Sequence, residues 1–445
     1  MLGAAGTDKG IVRRRVAITG IGAISPNGVG ASAFAQACLE GKSGLSRPDF
    51  AGSDRLKTSA VGAVRGFDPL AEMSPVEARR VPRLVPMALA ASRQALSEAG
   101  LPLDPGDLPA QRKVGVVLGT GGGGLAFVEE QYRQYFAGGQ ASLFSITAGT
   151  HGNLSSELSI ALHLRGPSHL ISTGCASSTD ALGYAAMLIR CGVVPVVLAG
   201  GADAPISPGI LHAFEKMKVV STRYWDDPRR ASRPFSADRD GFVLGEGAWM
   251  FVLEDLDHAV ARGARPLAEL CGYGSTCDAF HRVQIAPDLT EPVRAIELAL
   301  SDAGITVGQL GYVNLHGTGT EMNDRLETRA LRLALGPQAD RVPMSATKSM
   351  IGHPQGACGA AGVAATILCL RRGWAHPTIN LERPDPECDL DYIPGQSRRC
   401  LAEYALCNCI AFGSKNSVLV LRIAPGALQD QPEAAAPATS QPPGA

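Results

Sequence analysis

The chain repeats itself once over a long period. Residues 95–101 read Ala-Leu-Ser-Glu-Ala-Gly-Leu, and residues 299–305 read Ala-Leu-Ser-Asp-Ala-Gly-Ile. In both places a glycine follows a periodic apolar run, which predicts the end of a helix, and a short strand-like stretch follows each. The separation is far longer than the roughly 20–50 residues of solenoid repeats. The sequence therefore predicts a duplicated α/β unit.

A second pair of similar segments follows in the same order. Residues 168–173 form a strand-like run that leads to Cys175 and an alanine-rich helix, and residues 342–346 lead through Lys348 and His353 to a helix rich in alanine and glycine. Continuous apolar strands such as residues 193–199 indicate sheets that are covered on both faces. Small residues predict that both helices are buried between layers.

The predicted domains follow from this duplication. We place the first half at 13–260 and the second at 261–424, with an N-terminal extension at 1–12. Residues 425–445 are rich in alanine and proline with almost no charge, so this tail is expected to be disordered.

Composition excludes several classes of partner. The chain has 445 residues, a formal net charge of −1 and 45% hydrophobic residues, so no global field attracts nucleic acid or an anionic membrane. No apolar run reaches the roughly 18 residues of a membrane span, and the first fifteen residues lack the apolar core of a secretory signal. The eleven cysteines lack the spacing of a disulfide framework. Reduced thiols and a cytoplasmic location are expected, with Cys407 and Cys409 packed in a strand.

Reactive side chains occur in turns that are rich in glycine, serine and threonine. These are Ser-Thr-Gly-Cys-Ala-Ser-Ser at 172–178, His-Gly-Thr-Gly-Thr at 316–320, and Thr-Lys-Ser-Met-Ile-Gly-His at 347–353. Taken singly, each has an ordinary structural interpretation, because cysteine is often buried and lysine is usually exposed. Together they supply one thiol and two imidazoles. That set can take an acyl group from one thioester and activate a second.

Cys175 lies where a strand ends and a helix begins. The free N–H groups and positive dipole end of a helix favour a thiolate over a thiol, and the same N–H groups can hold a developing oxyanion. If the turns with Cys175, His316 and His353 converge, the sequence predicts an acyl transferase that forms carbon–carbon bonds.

Two other motifs in the chain match known binding patterns only in part. Residues 119–124, Gly-Thr-Gly-Gly-Gly-Gly, match the dinucleotide pattern after a strand, but no acidic residue follows at the expected spacing on a second strand. Asp238, Asp240 and Glu246 lack the spacing of a calcium loop and are expected in turns and salt bridges. We therefore expect no cofactor and no metal.

The combination of motifs resembles a known family. Residues 16–22, 232–235, 240–247 and 348–353, with the turns above, resemble the elongating β-ketoacyl–acyl-carrier-protein synthases, members of the thiolase-fold condensing enzymes. The resemblance covers about 13–422. It implies an α/β thiolase-like fold with five layers, α/β/α/β/α, built from two similar halves and usually assembled as a homodimer.

The resemblance also implies a reaction cycle. Cys175 would accept an acyl chain from a carrier-protein thioester, with its oxyanion held by the backbone N–H groups of Cys175 and Phe412. His316 and His353 would promote decarboxylation of malonyl-carrier protein, supported by Lys348. The product is a β-ketoacyl thioester that is two carbons longer. No separate cofactor is implied, because acyl groups arrive on carrier-protein phosphopantetheine.

Further roles are implied for residues around this centre. The matched positions are Gly122, Phe214 and Phe412 for the acyl pocket, Thr318 and Thr320 for substrate binding, and Arg79, Arg80, Arg83, Lys218 and Arg223 for the carrier-protein surface. Because many relatives have a bulky aliphatic residue at position 122, we hypothesise that Gly122 opens the acyl channel to longer or bulkier chains.

The chain also departs from the family pattern. Residues 413–416 read Gly-Ser-Lys-Asn where the family has Gly-Gly-Thr-Asn or Gly-Gly-Asn-Asn, and Gly362 stands where many fatty-acid members have a glutamate. Gly362 and the sequence at 316–320 are closer to polyketide synthases, so either pathway is open.

Two other functions remain as alternatives. One is a non-catalytic partner that determines chain length in a ketosynthase heterodimer, but such partners usually replace the nucleophile. The other is a thiolase that works on coenzyme A, but thiolases use a second cysteine as base. Cys175 and the two histidines together favour an active decarboxylating enzyme.

Overall fold

The computed structural model describes residues 13–101, 104–411 and 413–426. The predicted extension at 1–12 and all of the predicted tail except residues 425 and 426 lie outside this range. The strands are β1 (Val16–Ser25), β2 (Gly28–Val29), β3 (Val61–Gly62), β4 (Val114–Gly119), β5 (Ser168–Ile171), β6 (Val196–Asp203), β7 (Leu244–Gly245), β8 (Gly247–Asp255), β9 (Ala268–Cys277), β10 (Leu310–Asn314), β11 (Met344–Ser345), β12 (Trp374–Ala375), β13 (Arg398–Arg399), β14 (Tyr404–Ala411) and β15 (Lys415–Ile423).

The helices lie in the segments between these strands. They are α1 (Ala31–Leu39), α2 (Pro75–Ala78), α3 (Leu84–Glu98), α4 (Leu108–Gln111), α5 (Leu125–Phe136), α6 (Ser145–Gly149), α7 (Asn153–Ala161), α8 (Ser177–Arg190), α9 (Pro208–Met217), α10 (Leu256–Ala261), α11 (Thr290–Ala303), α12 (Glu321–Leu335), α13 (Lys348–Ile351) and α14 (Cys358–Leu370). A short 3₁₀ turn, Gly174–Ala176, precedes α8.

The main sheet shows the duplication directly. Its strands run in the order β11-β10-β14-β15-β9-β1-β8-β6-β4-β5. When the strands of each half are numbered along the chain, both halves have the order third, second, fourth, fifth, first. In both halves the third, second and fourth strands run parallel to one another, and the fifth strand pairs antiparallel with the fourth and with the first. The prediction of two similar α/β halves is confirmed.

Helices cover both faces of each half. The outer helix α3 packs on β1, β6 and β8, and the outer helix α11 packs on β9 and β15. Between the halves, α8 contacts β4 and β6, while α14 contacts α8 and β14. The layers are therefore α/β/α/β/α, as the family resemblance implies. The domain boundary at 260/261 stays a prediction; it falls at the end of α10.

Small side chains allow the two central helices to approach closely. Ala181 and Ala185 of α8 and Ala360 and Ala364 of α14 are fully buried in one hydrophobic cluster. A Cβ atom at Gly359 would lie 2.0 Å from Thr179 Oγ1, so any larger residue would push the helices apart. This packing matters because α8 and α14 follow the turns that contain Cys175 and His353.

Two further expectations concern the chain as a whole. None of the helices among the described residues combines the length and apolar character needed to cross a bilayer. All eleven cysteines lie in the described part of the chain, and none of them forms a disulfide bond there.

Candidate active site

Cys175 occupies the start of a buried helix. Strand β5 ends at Ile171, and the 3₁₀ turn places the thiol of Cys175 at the N-terminus of α8. The Ser177 hydroxyl accepts from the Thr173 N–H at 2.9 Å and donates to the Gly174 carbonyl at 2.6 Å, which fixes the turn. The sulfur is therefore held at the positive end of a 14-residue helix, where a thiolate is stabilised.

The predicted turns converge at this thiol. His353 Nε2 lies 3.2 Å from Cys175 Sγ, and the His316 and His353 rings are nearly perpendicular with centroids 5.5 Å apart. These groups are separated by up to 178 residues in sequence. A sulfur nucleophile and two imidazoles thus share one small volume, as the acyl-transfer prediction requires.

Lys348 holds His316 rather than facing solvent. Its Nζ donates to the His316 carbonyl at 2.6 Å and lies 3.2 Å from His316 Nδ1. An ammonium group can only donate, so the hydrogen-bond network assigns Nδ1 as an acceptor and places the ring proton on Nε2. His316 is thereby prepared to donate from Nε2.

Both imidazoles are neutral at neutral pH. Burial, followed by the charge of Lys348, lowers the pKa of His316 to about 3. Burial also lowers the pKa of His353. Desolvation disfavours the charged form of histidine, so each ring can serve as a neutral hydrogen-bond donor.

Glu327 was not predicted, although it fixes the backbone of the His316 turn. Its fully buried carboxylate accepts from the N–H groups of His316 at 2.7 Å and Gly317 at 2.8 Å, and from Asn408 Nδ2 at 2.7 Å. Burial raises its pKa. The available signal was an acidic residue on the helix that directly follows the His-Gly-Thr-Gly-Thr turn.

Two further thiols lie behind Cys175. The sulfurs of Cys358 and Cys409 are 3.9 Å apart, and each donates to the Cys175 carbonyl oxygen at 3.2 Å. Cys409 Sγ is also 3.5 Å from His316 Nδ1. Cys407 and Cys409 are buried on β14, as predicted, but the strand also brings Cys409 beside the site.

One cavity of about 270 Å³ connects the reactive groups. Cys175, His316 and His353 line it, and so do Thr318 and Thr320, whose hydroxyl oxygens are 2.9 Å apart. A larger groove of about 670 Å³ lies elsewhere and contains none of the predicted site residues. The smaller cavity is the candidate active site because it contains the nucleophile.

The residues predicted for the acyl pocket have different positions. Phe214 packs edge-on against Phe242 with centroids 5.2 Å apart, and Phe242 packs against His353 at 5.3 Å. Phe214 is therefore one ring removed from the site. Gly122 is not among the residues that line the cavity with Cys175. Phe412 lies outside the described residues, so these three roles stay predictions.

Asp203 explains the glycine-rich loop at 119–124. Its buried carboxylate accepts from the N–H groups of Gly121 at 2.7 Å, Gly122 at 3.1 Å and Gly356 at 2.9 Å. Burial raises the pKa of Asp203 to about 6. The loop that matches a dinucleotide pattern thus binds a carboxylate of the protein itself, and this contact links it to the segment after His353.

The predicted carrier-protein residues are exposed, with one important difference. Arg79, Arg80, Lys218 and Arg223 lie on the surface. Arg83 is exposed as well, but its guanidinium forms a bidentate ion pair with the buried carboxylate of Glu246, at 2.9 to 3.1 Å, and donates to a backbone carbonyl. This structural pairing disfavours a free carrier-binding role for Arg83, which stays a prediction.

The other acidic residues singled out in the sequence behave as expected. Asp238 forms an ion pair with Arg233 at 2.7 Å. Asp240 accepts from the Ser221 hydroxyl at 2.7 Å and from the Thr222 N–H at 2.9 Å. These are contacts of turns and salt bridges.

The chain matches two family descriptions. Residues 13–259 match "Beta-ketoacyl synthase, N-terminal domain" and residues 267–382 match "Beta-ketoacyl synthase, C-terminal domain". A 3-oxoacyl-[acyl-carrier-protein] synthase 2 of Synechocystis sp. is 40% identical over 413 residues, covering 92% of this chain and 98% of the relative. The tetracenomycin polyketide synthase ketoacyl synthase alpha subunit of Streptomyces glaucescens is 39% identical over 417 residues, covering 92% and 97%.

Solved structures give the same result. A beta-ketoacyl synthase from Burkholderia phymatum has a TM-score of 0.85 at 34% identity, covering 92% of this chain and 100% of the other. A type II PKS acyl-carrier protein in complex with its ketosynthase bound to the hexaketide gives 0.84 at 33% identity, covering 93% and 100%. The fold and site thus define a thiolase-fold condensing enzyme. The chain belongs to the beta-ketoacyl synthase family.

Proposed function

We propose that the protein is a β-ketoacyl–acyl-carrier-protein synthase that performs decarboxylative Claisen condensation in fatty acid or polyketide biosynthesis. The observation that carries this proposal is the 3.2 Å contact between His353 Nε2 and Cys175 Sγ, with His316 in the same cavity. The 3-oxoacyl-[acyl-carrier-protein] synthase and the polyketide synthase subunit described above are about equally similar to this chain. The proposal therefore includes both pathways.

The first half-reaction loads the acyl chain. The Cys175 thiolate attacks the carbonyl carbon of an acyl thioester, and the N-terminus of α8 stabilises the negative charge that moves to oxygen. A carbon–sulfur bond to Cys175 forms, the bond to the carrier thiol breaks, and the carrier leaves with the proton that Cys175 lost. No metal or separate cofactor is needed for this exchange.

The second half-reaction forms the carbon–carbon bond. Carbon dioxide leaves the malonyl group, and its bonding electron pair forms an enolate whose oxygen accepts hydrogen bonds from neutral His316 and His353. The enolate carbon attacks the acyl carbonyl, and the bond to Cys175 breaks to regenerate a thiolate. The low pKa of His316 supports this role, because the ring stays neutral and keeps one N–H group that can donate to the enolate oxygen.

Intact mass spectrometry tests both half-reactions. The protein is incubated with an acyl-carrier protein, and we expect its mass to rise by one acyl group in the wild type but not in Cys175→Ala. Addition of malonyl-carrier protein should then yield β-ketoacyl-carrier protein and carbon dioxide. A wild-type protein that is never acylated, or that is acylated equally in Cys175→Ala, would overturn the proposal.

Partners are proposed on the same basis. Structural neighbours include ketosynthases solved with an acyl-carrier protein and with a chain length factor. We therefore propose an acyl carrier protein as substrate carrier and either a second copy or a ketosynthase-like subunit as the dimer partner. A cytoplasmic location is proposed with them. The non-catalytic alternative is disfavoured by the intact contact between Cys175 and His353.

A further inference from the structure

One wall of the active-site cavity is formed by the segment after β9. We name residues 278–286 the access loop. His281, Val283, Gln284 and Ile285 of this loop line the cavity together with the reactive thiol and imidazoles. The loop is not part of a helix or strand, so contacts with neighbouring elements must hold it in place.

Inside the access loop, His281 sets the position of the wall. Its Nδ1 accepts from the N–H groups of Val283 at 3.1 Å and Gln284 at 3.0 Å. Both of these residues line the cavity. Whatever fixes His281 therefore fixes the wall.

Ser414 fixes the backbone of His281 from both sides. This residue lies in the turn between β14 and β15, and its hydroxyl donates to the His281 carbonyl at 2.7 Å and accepts from the His281 N–H at 3.2 Å. Glycine can make neither contact. Ser414 has φ of 63°, a conformation that favours glycine, so a side chain is present here despite the backbone preference.

Other bonds between the turn and the loop do not depend on this hydroxyl. The Ser414 carbonyl accepts from the Asp278 N–H at 2.8 Å, the Gly413 N–H donates to the Arg282 carbonyl at 2.9 Å, and Asn416 Nδ2 donates to Asp278 Oδ1 at 2.6 Å. Removing the hydroxyl should therefore loosen the wall without detaching the loop.

We propose that Ser414 is a positioning residue for substrate access, whose hydroxyl holds the 281–285 wall where the arm of a carrier-bound thioester passes to Cys175. This role rests on the proposed function. It also gives the sequence at 413–416 a physical meaning: replacing the glycine of the family pattern with serine adds two bonds between the turn and the access loop.

Hydrogen–deuterium exchange tests the contact without using activity. In Ser414→Gly and Ser414→Ala, we expect amide exchange across 278–286 to accelerate about fivefold to tenfold, as expected for the loss of roughly one net hydrogen bond. The two variants differ in backbone freedom, so agreement between them isolates the hydroxyl. Lys415→Ala is the matched control, because its side chain makes no hydrogen bond to the access loop among the described residues. Unchanged exchange in both serine variants would overturn the proposal.

Kinetics distinguish a positioning role from a general structural one. The KM for acyl-carrier protein should rise about fivefold in both variants, while kcat and the pH profile stay within about twofold of wild type. A fall in kcat with unchanged KM would contradict the access role. If the wild type takes no acyl group, the proposed function fails and the access role with it, whereas exchange still decides whether Ser414 holds the loop.

Discussion

At the scale of single residues, the chemistry depends on proton positions. Lys348 determines which nitrogen of His316 accepts, and burial keeps the ring neutral. Sequence reasoning identified Cys175, His316 and His353 because each lies in a turn whose small neighbours permit close approach, and the family resemblance added the role of Lys348. It could not show that the Lys348 ammonium contacts His316, because that contact joins two segments that meet only after folding.

Because both imidazoles are neutral, we predict an unusual pH dependence for the rate of decarboxylation. An ordinary histidine has a pKa of about 6.5, and a required neutral form would be lost as pH falls through that value. Since folding lowers the pKa of both rings, the neutral forms persist to lower pH. We expect the rate of malonyl decarboxylation by acylated enzyme to stay level as pH falls from 7.5 to below 6.5. A titration of the rate with a midpoint near 6.5 would contradict this assignment.

Lys348 should affect condensation more than acylation. In Lys348→Ala, His316 loses the donor at Nδ1 and its tautomer is no longer fixed, so the enolate loses a defined donor. We expect carbon dioxide release to fall about 10²-fold while acylation of Cys175, followed by intact mass, changes far less. The exposed Lys113, which does not line the cavity, provides a matched control as Lys113→Ala. Equal loss of both steps would show that Lys348 supports the nucleophile instead.

At the scale of elements, the sequence predicted well where local signals were strong. Glycine after apolar runs marked the helix ends at 95–101 and 299–305, and apolar stretches marked β4 and β10. The buried carboxylates Asp203 and Glu327 were missed. Asp203 reaches Gly356 across 153 positions, and no local pattern reports a contact over that distance.

Replacing Glu327 should remove the hydrogen bonds by which helix α12 fixes the His316 turn. Glu327→Ala leaves the N–H groups of His316 and Gly317 buried without their acceptor, which costs about 1–3 kcal/mol for each group. We expect the free energy of unfolding, measured in urea, to fall by about 2–5 kcal/mol, with a loss of decarboxylation. Glu321→Ala on the same helix removes an exposed carboxylate and should change stability by under about 0.5 kcal/mol. Equal effects of the two variants would exclude this anchoring role.

At the scale of the whole molecule, the duplication explains why both halves are needed. Cys175 follows β5 of the first half, whereas His316 and His353 follow β10 and α13 of the second. The close contact of α8 with α14 holds these groups together, so the site exists only between the halves. The sequence predicted the repeat, but strand order and the edge contact of β1 with β9 depend on packing of distant segments.

Basic residues on the surface form the proposed docking site for an acidic carrier protein. The net charge of the chain is only −1, so we propose that attraction comes from local groups such as Arg79 and Arg80, and from Lys218, whose neighbours Met217 and Val219 line the cavity. Charges at a rim mainly change the rate of encounter and its salt dependence.

Reversing the two arginines tests this surface. In the double variant Arg79→Glu and Arg80→Glu, we expect the KM for acyl-carrier protein to rise about tenfold at low salt and to approach the wild-type value near 0.5 M salt, because screening removes the repulsion. The rate with a small acyl thioester that lacks the protein should be unchanged. The matched control reverses Arg112 and Lys113, which are exposed at the opposite end of β4 from the 119–124 loop. If both double variants raise KM equally, net charge and not a docking surface controls the encounter.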